Sequence, residues 1–87
     1  MKFQLLVTES SIPCGQAEKV WREVATEADL DFSVVDLAAP EGQQLAARLQ
    51  LKAIPALVVD GVLVAIGVQS LEEARALMTQ VSAHTHS

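Results

Sequence analysis

Apolar residues along this chain fall into blocks with two distinct periodicities, separated by polar and turn-forming residues. Residues 2–8 carry Phe3, Leu5, Leu6 and Val7 and stop at Glu9-Ser10-Ser11, which predicts a short buried strand. Pro13, with Ser11 just upstream, is a helix-start signal. Ala17, Val20, Trp21, Val24 and Ala28 then recur at helical spacing. Glu18, Lys19, Arg22, Glu23 and Glu27 take the other side, so a helix is expected over 13–28. Residues 31–37, with Phe32, Val34, Val35 and Leu37, predict a second strand. Pro40 opens a second helix, with Glu41 near its positive end and Leu45, Ala46 and Leu49 on its buried side. Residues 56–59 and 62–66 flank Asp60-Gly61, a strong hairpin signal. Ser70-Leu71-Glu72-Glu73 is a capping box, and Leu71, Ala74, Leu77, Met78 and Val81 give the third helix its stripe.

The predicted order is βαβαββα. A right-handed crossover makes the first two strands parallel neighbours, and the hairpin makes the last two antiparallel. Strands apolar on both faces need helices on both faces of a four-stranded mixed sheet. One domain over residues 1–82 is expected, followed by a short polar tail at 83–87.

Composition narrows the function classes. The 87 residues are 51% hydrophobic, and the only aromatic residues are Phe3, Trp21 and Phe32. A net charge of −5 with no basic patch argues against a nucleic-acid partner. No apolar run approaches the ~20 residues of a membrane-spanning helix, and residues 1–11 lack the pattern of a secretory leader. The expectation is a soluble, cytoplasmic protein without a membrane partner. The single cysteine, Cys14, excludes an intramolecular disulfide and a cysteine-rich metal centre. His84 and His86 sit in the polar tail, where they are read as inert, so no metal site and no cofactor are expected.

Two segments carry a resemblance. Ser11-Ile12-Pro13-Cys14 follows the first strand, and Ala53-Ile54-Pro55-Ala56-Leu57 opens the third. Proline at the head of a buried strand is unusual. With the element order, these segments make the chain resemble the small thioredoxin/glutaredoxin-like proteins, in which a Cys-x-x-Cys motif follows the first strand. The resemblance implies a thioredoxin fold. It also implies a cis proline at Pro55, packed beside the motif, with nearby backbone open to an extended substrate or glutathione.

The chain departs from that family at the motif, and two registers are open. Cys14 stands for the second, resolving cysteine with Ser11 replacing the first, or it stands for the first in Cys14-Gly15-Gln16-Ala17, as in monothiol glutaredoxins. Cys14 precedes Ala17, Trp21 and Val24 by three, seven and ten residues, which sets it on the buried stripe and favours the first register. Its thiol is then expected to react slowly in the folded chain. Longer thioredoxins keep a buried aspartate where this chain has Leu5.

Without a second thiol the chain cannot complete a dithiol cycle alone. The candidate site residues are Cys14 for thiol chemistry, with Ser11, Ile12, Pro13, Ile54 and Pro55 for substrate contact. Cys14 is equally readable as a small buried hydrophobe and Ser11 as a plain helix cap. Trp21 is read as core, and Glu23, Glu27, Asp29 and Asp31 as a solvated face. Three functions compete. One is a monothiol redox protein whose partner is a protein thiol, a disulfide or glutathione. The second is a redox-inactive module that binds protein or peptide. The third is a homodimer joined through the apolar strand at 62–66.

Overall fold

A computed structural model of the chain describes residues 1–9 and 11–85, with side chains through Val81. The elements are β1 (Lys2–Val7), α1 (Ile12–Ala28), β2 (Asp31–Asp36), α2 (Pro40–Leu49), β3 (Ala56–Val59), β4 (Val62–Ile66) and α3 (Leu71–Thr85). They form a four-stranded sheet in the order β2-β1-β3-β4. β1 runs parallel to β2, with Val7 opposite Asp36, and antiparallel to β3, with Leu6 opposite Ala56. β4 is antiparallel to β3 and forms one edge. This is the βαβαββα arrangement expected from the periodicities.

Alternation along β1 explains the two cores. Phe3 and Leu5 point to one face with Leu57 and Val59, where Ala17, Trp21 and Val24 of α1 and Ala74 of α3 cover them. Leu6 points to the other face with Ala56, Val58 and Val35, under Leu45 of α2. Gln4 shares that second face and is buried, which the apolar pattern did not announce. Its Nε2 donates to Glu41 Oε1 at 2.8 Å, so the buried amide has a partner on α2.

Gly42 lets α2 approach β2 this closely. A Cβ there would overlap the Asp36 carbonyl oxygen and lie 2.9 Å from the Asp36 carbonyl carbon. Asp60 and Gly61 both have positive φ, 49° and 81°, as a two-residue hairpin turn needs. The β3–β4 ladder then slips: Leu57 faces Ala65 while Val58 faces Leu63, so Val64 is an extra residue on β4.

α3 runs to Thr85, so the helical backbone continues through Ala83 and His84 into the segment expected as a polar tail. The His84 side chain and all of His86 lie outside the described residues.

The capping box at the start of α3 is formed. Ser70 N donates to Glu73 Oε1 at 2.9 Å, and Glu73 N donates to Ser70 Oγ at 3.1 Å. The backbone N–H of Ser70, then its hydroxyl, hold the Glu73 carboxyl below its ordinary value of 4.5. A carboxyl depressed by folding stabilises the fold above the ordinary range and loses that contribution as pH falls through the depressed value. Glu73→Ala is therefore expected to lower the melting temperature by a few degrees at pH 7, with the deficit closing as the pH falls below the ordinary 4.5 and through the depressed value. Thermal melts of both proteins across that range check it. A deficit independent of pH would mean that the carboxylate does not act as the cap.

Candidate functional site

Strand register brings the sequence-predicted residues to one end of the sheet. Val7 ends β1, Asp36 ends β2, Ala56 begins β3 and Ile66 ends β4, and the pairings place all four at the same end. α1 starts there. Pro55 immediately precedes β3, and its carbonyl accepts a hydrogen bond from Gly67 N at 2.8 Å. The Ile54–Pro55 peptide bond is cis.

Ser11 is the N-cap of α1, with extended backbone at φ −96° and ψ 121°. Its Oγ accepts a bond from Cys14 N at 3.3 Å, and its carbonyl accepts from Gly15 N at 3.1 Å. The hydroxyl oxygen thus serves one of the helix's first free N–H groups, as a cap should. Ile12 and Pro13 fill the first two helical positions and are exposed, Ile12 to 76%. Cys14 turns inward as the free cysteine of the chain and is only 2% exposed. Its position follows from the helical repeat, since it stands above the buried Ala17 and Trp21.

Two hollows flank this end. One, of about 260 Å³, is lined by Thr8, Glu9, Ser11, Cys14, Glu18 and Asp36 among others. The second, of about 190 Å³, is lined by Leu37, Leu51, Lys52 and Ile54 among others. Cys14 and Pro55 share the sheet end but line no common hollow. Two larger hollows, of about 440 and 330 Å³, lie elsewhere, beside Arg22 and Phe32 and between Gln4 and Arg48. Among the described residues, no group of three His, Cys, Asp or Glu could hold a metal ion. None of the described helices is long and apolar enough to cross a membrane.

Residues 1–79 match the thioredoxin-domain family. The chain belongs to that family. Among solved structures, it is similar to thioredoxin 1 from the thermophilic eubacterium Thermosipho africanus TCF52B. That pair has a TM-score of 0.75 and 14% identity, with all of both chains covered. It is also similar to Chlamydomonas reinhardtii thioredoxin f2, at a TM-score of 0.62 and 20% identity, over 94% of this chain and 76% of that one. Identities this low speak for the fold alone. No curated protein sequence matches the chain.

In this thioredoxin-domain protein the loop after β4 also reaches this end of the sheet, although the periodicity offered it only as the end of an edge strand. Ile66 and Val68 are exposed to 48% and 42%, and Gly67, at φ 89°, turns the chain between them against Pro55. Gln69 ties this loop inward. Its Oε1 accepts from Trp21 Nε1 at 3.2 Å, and its Nε2 donates to the Ile66 carbonyl at 3.3 Å. Glu9 and Asp36 also escaped the sequence reading, because nothing in their spacing sets them beside Ser11. The one available signal was that Asp36 closes β2 and Glu9 follows the end of β1 in the turn leading to α1.

Proposed function

We propose that this thioredoxin-domain protein binds an extended protein or peptide segment and does not turn over disulfides. The observation that carries the proposal is the burial of Cys14 beneath a helix tip occupied by Ser11. Dithiol exchange needs one accessible thiolate to attack the substrate disulfide and a second thiol to release the mixed disulfide. Here the tip residue has a hydroxyl, and the lone thiol faces the interior. What the tip offers outward is an apolar surface of Ile12 and Pro13, with the half-buried Ile54 and the loop at 66–68 at the same end of the sheet, while the Pro55 side chain is buried and presents only backbone there. An extended segment lying across the start of β3 can pair with backbone there and rest side chains on that face.

A second reading has one observation in its favour: Cys14 contributes to the wall of the 260 Å³ hollow. On that reading, the Cys14 thiolate attacks one sulfur of oxidised glutathione, forms a mixed disulfide and releases the other half as a thiolate. Its 2% exposure weighs against it.

Insulin reduction by dithiothreitol separates these from ordinary thioredoxin activity. The protein is expected to add nothing to the dithiothreitol background. Turnover at the rate of a dithiol thioredoxin would overturn the proposal. Peptide binding can be followed through Trp21, the only tryptophan, because Gln69 links its indole to the loop at 66–68.

A further inference from the structure

We infer that the segment bound at this surface is cationic, with an apolar side chain flanked by lysine or arginine. This rests on the binding reading above and specifies its partner. Five large apolar side chains are exposed among the described residues, and Ile12, Ile66 and Val68 lie at the sheet end that holds Ser11 and Pro55. Beside Ile12, the hollow at the tip of α1 is lined by Glu9, Glu18 and Asp36, and no lysine or arginine lines it. Glu18 is neutralised by Arg22 at 2.9 Å. Among the described residues, Glu9 and Asp36 have no cation within ion-pair distance. Asp36 Oδ1 accepts only the Ala38 backbone N–H, at 2.8 Å.

The positive end of α1 opposes a cation by roughly half a charge, and that effect fades within a turn. Two unpaired carboxylates outweigh it. The same carboxylates disfavour a second copy as the occupant. A second copy also carries a net charge of −5, so it offers these carboxylates no net attraction. A foreign segment with basic residues beside its apolar anchor meets both features at once.

The test uses three labelled peptides that share a central leucine in an extended frame and are flanked by lysine, glutamate or serine. Fluorescence anisotropy at low salt is expected to rank lysine first, ahead of serine by about two- to tenfold, as two surface charges allow. Raising salt from about 20 mM to about 0.5 M should erase that lead. Glu9→Gln with Asp36→Asn should also erase it, bringing the lysine peptide down to the level of the serine peptide. Asparagine at 36 keeps an oxygen for the Ala38 N–H, so the fold is spared. Ile12→Ser should weaken all three. Equal binding of lysine and glutamate peptides, still sensitive to Ile12→Ser, would overturn the charge inference and leave the binding function standing. Failure of every peptide to bind would overturn both. A dimer in sedimentation that Ile12→Ser dissolves would assign the face to a second copy and overturn the inference.

Discussion

Ser11→Cys is expected to convert a protein that leaves insulin disulfides intact into one that reduces them with dithiothreitol. Ser11 caps α1 with its side chain turned to the Cys14 N–H, so a thiol there would stand one turn before the Cys14 thiol. The introduced thiolate would sit at the positive end of α1, which favours the ionised form. It would attack a substrate sulfur, and Cys14 would then displace the reduced substrate thiol and close an intramolecular disulfide for dithiothreitol to reopen. Well-oriented intramolecular groups reach effective concentrations of about 10⁵ M or more, far above any added reductant. Leu5 is buried and apolar, so the strand offers no carboxylate to take up the Cys14 proton. The variant's rate is therefore expected to fall below that of an ordinary dithiol thioredoxin. Sulfur is also a poorer cap acceptor than oxygen, and a small loss of stability should accompany the gain. Complete inactivity of a folded variant would favour the register in which Cys14 is the first cysteine.

Trp21→Ala is expected to be the most destabilising single truncation. Trp21 is fully buried and the largest such side chain, and its ring lies 6.3 Å from that of Phe3 at a 36° tilt. It joins α1 to β1, and through Gln69 to the loop after β4. Truncating a buried tryptophan costs about 3–5 kcal/mol, and an 87-residue domain has only about 4–13 kcal/mol in total. The urea midpoint should fall by about 2 M or more, or the fold should be lost. Trp21→Phe keeps most of the volume and removes the Nε1–H, so it should cost about 1–2 kcal/mol and loosen the loop at 66–68. A Trp21→Ala midpoint close to that of the parent would remove Trp21 from the core.

Much of this architecture could be read from the chain because local and long-range preferences agree. β1 carries apolar residues for both faces, Asp60-Gly61 supplies two positive-φ positions, and Ser70 with Glu73 marks the start of α3. The inward turn of Cys14 followed from its spacing to Ala17 and Trp21. Other features depend on contacts that no local pattern encodes. Asp29 and Gln50 end α1 and α2 in left-handed conformation at φ 53° and 52°, where glycine would have been the visible signal. Gln4 is tolerated inside because Glu41 reaches it from α2, 37 residues away. Ile66 and Val68 come to the sheet end that carries Ile12 only once β4 is laid beside β3 and Gly67 bonds to Pro55. α3 extends to Thr85 although the apolar stripe stops at Val81.

The central claim is that the lone thiol is sealed beneath the helix tip, and alkylation kinetics test it most directly. Iodoacetamide at neutral pH should label Cys14 in the native protein about two orders of magnitude more slowly than in denaturant at the same pH. That protection corresponds to local opening of the first turn of α1 at a cost of about 3 kcal/mol. Equal rates in the two states would contradict the account and make Cys14 an accessible thiol, with the monothiol route as the leading function.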